Sequence, residues 1–139
     1  MKFTDKVNLT FANRDCLKKG FHAIKKTDRK YIKARDSRKV EGSVYIEGCV
    51  EGGKWDYVVG YAQKAYFIEV HSATSPREIE VVIKKARWLK EWKARTPFRD
   101  DNRLYWVAPG RVGFSRNSVQ FLRLIKEGIS FKGSRMVLS

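Results

Sequence analysis

The sequence predicts an α/β domain in which helices flank a mixed sheet. Three β-branched and aromatic runs follow one another between residues 42 and 73. A helix with a continuous apolar stripe comes next, and a fourth strand-like run lies just beyond it. A helical crossover returns the chain in its original direction, so the strands on either side of that helix should be parallel, whereas hairpin-linked strands are antiparallel. The 139 residues suit one domain, 1–139, and a 42% apolar content is enough to build one core.

The elements follow in order. Residues 5–38 have Leu17, Phe21, Ile24 and Tyr31 at helical spacing, which argues for an amphipathic helix. Gly20 leaves a second reading open, in which CLKKG ends a first helix and Phe21–Lys25 runs extended. GSVYIEGCV (42–50) reads as a strand, EGGK (51–54) as a turn and WDYVVGYA (55–62) as the second arm of a hairpin. AYFIEVHSA (65–73) is apolar apart from Glu69 and His71, as expected of a strand covered on both faces. Ser75, Pro76 and Glu78 supply a cap residue, a first-turn proline and a capping-box glutamate for a helix that should stop before Pro97. Ile79, Val82, Ile83, Ala86 and Leu89 form its apolar stripe, and Trp92 extends it. LYWVA (104–108) is the fourth strand, and residues 115–127 a last helix with Gly128 just past its end. The tail beyond Gly128 either adds a strand or hangs loose.

Charge gives the clearest indication of function. Thirty Lys and Arg against fifteen Asp and Glu leave a net +15, and such an excess usually faces a polyanion. Nucleic acid is the expected partner, and an anionic membrane surface is the rival. No run of 18 apolar residues predicts a membrane span, and MKFTDKVNLTFANRD lacks the apolar stretch of a signal peptide, so a cytoplasmic chain is expected. Cys16 and Cys49 form no CxxC pair and no zinc spacing, so buried free thiols are expected. With only His22 and His71 present, a histidine-rich metal site is excluded.

Two acids sit where strands should be apolar. Asp56 begins the second strand and Glu69 lies inside the third, and a carboxylate there is costly unless it is paired or binds a cation. Convergent carboxylates on neighbouring strands make a hard-oxygen site suited to Mg²⁺ or Mn²⁺. His71, two residues after Glu69, projects from the same face. Beside a basic surface, such a site points to metal-assisted phosphodiester cleavage, with Asp56, Glu69 and His71 as the candidate catalytic residues and Asp56 and Glu69 as the metal ligands. Plainer roles exist for each: Asp56 ending a turn or pairing with Lys54, Glu69 in a structural ion pair with a helix arginine, His71 as a hydrogen-bonded strand residue. The Trp88–Trp92 pair, spaced i,i+4, reads first as core or interface.

Asp56, twelve intervening residues, then Glu69-Val70-His71 resembles the motif of the PD-(D/E)xK nuclease superfamily, which includes restriction endonucleases and archaeal Holliday-junction resolvases. The resemblance covers about residues 42–108 and implies a restriction-endonuclease-like α-β-β-β-α-β core. It also implies that Asp56 and Glu69 bind the metal, and it favours DNA over RNA. Where the family has lysine two residues after the glutamate, this chain has His71. Lys54, Lys84 and Lys85 are the candidates to take over the lysine's role, and Asp15 is the candidate for the family's further acid in its first helix. Trp55 replaces the usual proline. Lys84, Lys85, Arg87, Lys90, Arg111 and Arg116 are the candidate phosphate contacts. Cutting two strands calls for two active sites, which a homodimer supplies. A non-catalytic nucleic-acid-binding module on the same scaffold, and a basic subunit that docks on an acidic partner, are the competing expectations.

Overall fold

The apolar run KAYFIEV forms the centre of the fold because both of its faces are covered. In the computed structural model, which describes residues 1–139, it is strand β4 (Lys64–Val70) of a five-stranded sheet ordered β2-β3-β4-β5-β6. Strands β2 (Val40–Tyr45) and β3 (Tyr57–Tyr61) are antiparallel, as are β3 and β4. Helix α4 (Arg77–Lys93) then crosses to β5 (Leu104–Val107), which is parallel to β4. A second crossover through α5 (Val119–Lys126) leads to β6 (Ile129–Phe131), parallel to β5. The sheet is therefore mixed, as its order of runs and crossovers required.

One face of the sheet carries Val58, Phe67 and Trp106, packed with the α4 residues Ile79, Val82, Ile83, Ala86 and Leu89 and with Phe121 and Leu124 of α5. Each Val, Ile or Leu of that stripe, fully buried, contributes roughly 1.5–3 kcal/mol, so the α4 stripe alone anchors the helix. Helix α1 (Phe3–Thr10) joins this layer through Phe3 and Val7. The other face carries Tyr57, Val59, Tyr61, Tyr66 and Ile68. It is closed by Ile24 and by a separate parallel pair of strands, β1 (Ile32–Ala34) and β7 (Met136–Leu138), while the short helix α2 (Lys26–Arg29) is held to it by the Tyr57 hydroxyl donating to Asp28 Oδ2 at 2.6 Å.

Several expectations need correction. Residues 11–25 contain only a 3₁₀ turn at Arg14–Cys16 and irregular chain; the true first helix precedes them. The helical spacing of Leu17, Phe21 and Ile24 arises because Lys18 bridges to Ser43 and Ile24 turns into the second core. The run 42–50 is not one strand: β2 ends at Tyr45, and Ile46–Cys49 forms a single helical turn, α3. The β2–β3 connection is thus wider than a tight EGGK turn. The tight hairpin is β3–β4 instead, and it turns on Ala62 and Gln63, both at positive φ. The last helix starts at Val119 rather than 115, where the Ser118 side chain accepts from the Phe121 N–H. Gly128, at φ +83°, ends it as expected, and the tail beyond adds β6 and β7.

The two cysteines are not free thiols. The turn at Arg14–Cys16 lies beside α3, and Cys16 and Cys49 form a disulfide across a sequence separation of 33 residues. The sequence signal failed because paired cysteines distant in the chain leave no local pattern. The bond ties the N-terminal segment to the turn that leads into β3. Reduction should lower stability by about 4 kcal/mol through the freed unfolded chain. Denaturant titration with and without a dithiol measures this; equal midpoints would contradict it.

Candidate active site

Strand alternation places Asp56, just before β3, and Glu69, near the end of β4, on the face covered by α4. Glu69 has no exposed surface and Asp56 is 9% exposed. Glu69 Oε1 accepts the Asp56 main-chain N–H at 3.0 Å, and Asp56 Oδ2 accepts the Val70 N–H at 2.9 Å. The two strands therefore lock both carboxylates through each other's backbone. Glu69 Oε2 accepts from Lys85 Nζ at 2.7 Å. Lys85 stands on α4, and among Lys54, Lys84 and Lys85 it alone reaches the acids; Lys54 and Lys84 are exposed.

His71 follows β4, and its main-chain N–H continues the ladder to the Val107 carbonyl at 3.0 Å. Its own carbonyl accepts from Trp106 Nε1 at 2.6 Å. Its ring is held between two glutamates: Nε2 is hydrogen-bonded to Glu78 Oε2, and Nδ1 lies 3.9 Å from Glu69 Oε2. With Nε2 bonded to Glu78, Nδ1 is the ring nitrogen turned toward Glu69. Glu78 thus does not act as a capping-box residue. The α4 N-terminus is turned by the Glu78 N–H to the Ser75 carbonyl, with no side-chain cap. Sequence reasoning missed Glu78 because its spacing from Ser75 satisfied the capping pattern.

Close to these loops, Gly113 donates its N–H to the Ala73 carbonyl at 2.7 Å. A Cβ there would lie 1.9 Å from the Thr74 carbonyl oxygen, so only glycine permits the segment after β5 to lie against the segment after β4.

The site's electrostatics follow from burial. Burial, then the charge of Asp56, pushes the Glu69 carboxyl up to about 8, with Lys85 pulling it back. Burial also raises Asp56, while the Val70 N–H and Lys85 oppose the rise and Asp28 and Glu47 add to it. For Lys85, burial lowers the ammonium, but Glu69 outweighs it and holds the group above its usual range. Asp28 and Glu47 are the further acids that influence Asp56. Asp15 is exposed on the 3₁₀ turn, and no ion pair or side-chain hydrogen bond joins its carboxylate to these residues.

No group of three or more His, Cys, Asp or Glu is placed to hold a metal ion. An all-protein cage is therefore not what these residues offer. Mg²⁺ commonly takes one or two carboxylates and completes its shell with water and phosphate oxygens. Asp56 fits that mode: its Oδ1 carries no hydrogen bond and, since Trp55 Nε1 is the only buried unpaired side-chain polar atom, is open to solvent, whereas both Glu69 oxygens already accept hydrogen bonds, so Glu69 would have to share one of them with the metal. A cation between the two acids would reverse their upward shifts.

The candidate phosphate contacts separate into groups. Arg87 and Lys90 pair with Glu127 at the end of α5, at 2.8 and 3.0 Å. Arg87 is two residues from Lys85, so it projects about 200° away around the helix, off the site. Lys84, Arg111 and Arg116 are exposed, with Arg116 resting 5.1 Å over Phe131. No helix is long and apolar enough to cross a membrane. No protein-family model matches the chain, and neither a curated protein nor a solved structure matches it significantly.

A carboxyl raised on folding binds its proton more tightly in the folded than in the unfolded chain. Stability drawn from Glu69 is therefore present at low pH and lost as pH rises from the ordinary carboxylate range through about 8. Glu69→Gln should gain on the parent chain across that window. Urea midpoints of both proteins at a series of pH values test this, and a pH-independent difference would refute the raised carboxyl.

Proposed function

We propose that this chain is a metal-dependent nuclease built on a PD-(D/E)xK-like, restriction-endonuclease-like core. The observation that carries the reading is the contact of Lys85 Nζ with Glu69 Oε2, on a carboxylate already locked to Asp56. The lysine absent two residues after Glu69 is supplied from α4, at the same acid. Asp56 and Glu69 would hold Mg²⁺ or Mn²⁺, which when bound neutralises phosphate charge and acidifies water. Lys85 orients the attacking water and balances charge on the phosphate oxygens. His71, fixed through Nε2 by Glu78, offers Nδ1 as a proton acceptor. Lys84, Arg111 and Arg116 hold the backbone of the substrate, with DNA favoured over RNA, and two copies would serve two strands.

A cytoplasmic location belongs to the same reading, and the Cys16–Cys49 disulfide weighs against it. The second reading, a binding module without catalysis, draws on His71 in the lysine position and on the lack of a third ligating side chain.

Labelled linear, branched and single-stranded DNA, and RNA, incubated with Mn²⁺, Mg²⁺ or a chelator, decide between them. Metal-dependent cutting is expected. Glu69→Ala should abolish it, and Lys85→Met should slow it by about 10²–10³ with binding retained. Wild-type rates in Lys85→Met would remove that residue's role. Salt-sensitive binding without cutting would establish the binding module.

A further inference from the structure

Helix α4 carries a second feature on the same flank as the site. Glu78, Val81, Lys85, Trp88 and Trp92 recur at three- and four-residue spacing, so they line one side of the helix. Glu78 reaches His71 and Lys85 reaches Glu69, which fixes the direction this side faces. Trp88 and Trp92 continue it beyond Lys85 by about 4.5 and 10.5 Å along the axis.

The two indoles lie parallel, with centroids 5.7 Å apart and planes 7° from each other. Trp92 also contacts the buried ring of Phe11 at 5.7 Å, so the pair is anchored at that end. Both rings are only partly buried. Neither indole N–H has a protein acceptor, and the single buried unpaired side-chain atom is Trp55 Nε1, so both reach solvent. Lys84, four residues before Trp88, and Arg95, three after Trp92, are exposed cations beside the pair.

We infer that Trp88, backed by Trp92, is a stacking platform for an unpaired base, and that the substrate is a single strand or a duplex with unpaired nucleotides. Flat, partly exposed aromatic faces between cations bind bases by stacking and backbones by charge. A paired base inside a duplex already stacks on its neighbours and cannot present its face to Trp88. The net charge of +15 favours such a polyanion over an uncharged aromatic ligand. The position of the platform beside a scissile phosphate rests on the proposed nuclease; stacking itself does not.

The test is tryptophan fluorescence of the full chain titrated in chelator with single-stranded oligothymidylate and, separately, with a duplex of equal length. Trp55 and Trp106 have no exposed surface, so quenching reports on Trp88 and Trp92. The expected result is quenching by the single strand, with tighter binding than to duplex. Trp88→Leu should weaken strand binding about tenfold, and Trp88→Phe should restore most of it. Protection of the wild-type indoles from acrylamide by bound strand needs no variant and should accompany the quenching. Equal affinity for strand and duplex without quenching, or undiminished strand binding by folded Trp88→Leu, overturns the platform. Because no divalent metal is present, stacking without any cleavage elsewhere would remove only the nuclease, and cutting of duplex without stacking would remove only the platform.

Discussion

Glu69 is a carboxylate with no exposed surface in the middle strand of the sheet, and the surrounding architecture answers to that fact. An unpaired charge there would cost several kcal/mol, about as much as a small domain's whole margin. Its two oxygens are taken by the Asp56 N–H, which ties β3 to the site, and by Lys85, which ties α4 to it. A sheet contact and a helix contact thus meet on one residue. Hydrophobic side chains at these positions would hold the strands and helix together more cheaply. The arrangement keeps two carboxyl groups raised and close beside a lysine.

The cations of the chain divide into paired and unpaired groups that a count of lysines and arginines does not separate. Arg87 and Lys90 clamp the end of α5 through Glu127, Arg123 pairs with Glu80, and Lys6 pairs with Asp101. Lys93 is buried, and its Nζ donates to the Arg99 carbonyl at 3.1 Å to close the loop after α4. These cations organise the molecule. Lys84, Arg111 and Arg116 remain exposed, with no salt-bridge partner.

Much of the centre was legible from sequence because it follows periodicity. The α4 stripe is buried as its spacing required, and β3, β4 and β5 lie close to their apolar runs. Asp56 and Glu69 stood out because acids are unusual in such runs. Lys85 was one of three candidates, and only the rotation of α4 against β4 brings it, and not Lys54 or Lys84, to Glu69. What was not legible depends on contacts between distant residues. The disulfide joins segments 33 residues apart, and β1 and β7 are three residues each, too short to show a period. Residues 11–25 imitate a helix because their apolar side chains serve two different layers. Glu78 satisfied a local capping pattern and was captured by His71 instead.

The β1–β7 pair also sets an order of assembly. Ile32 of β1 is partnered by Met136, about a hundred residues later. At roughly 5–20 residues per second, a ribosome makes β7 some 5–20 s after β1. Through that interval β1 lacks its partner strand, and the layer of Ile24, Ile32 and the sheet tyrosines lacks Met136 and Leu138. Cys49 emerges far sooner, so the N-terminal segment is within reach of its covalent tether long before its neighbouring layer is complete. Until β7 is made, this face of the sheet stays half covered in the nascent chain.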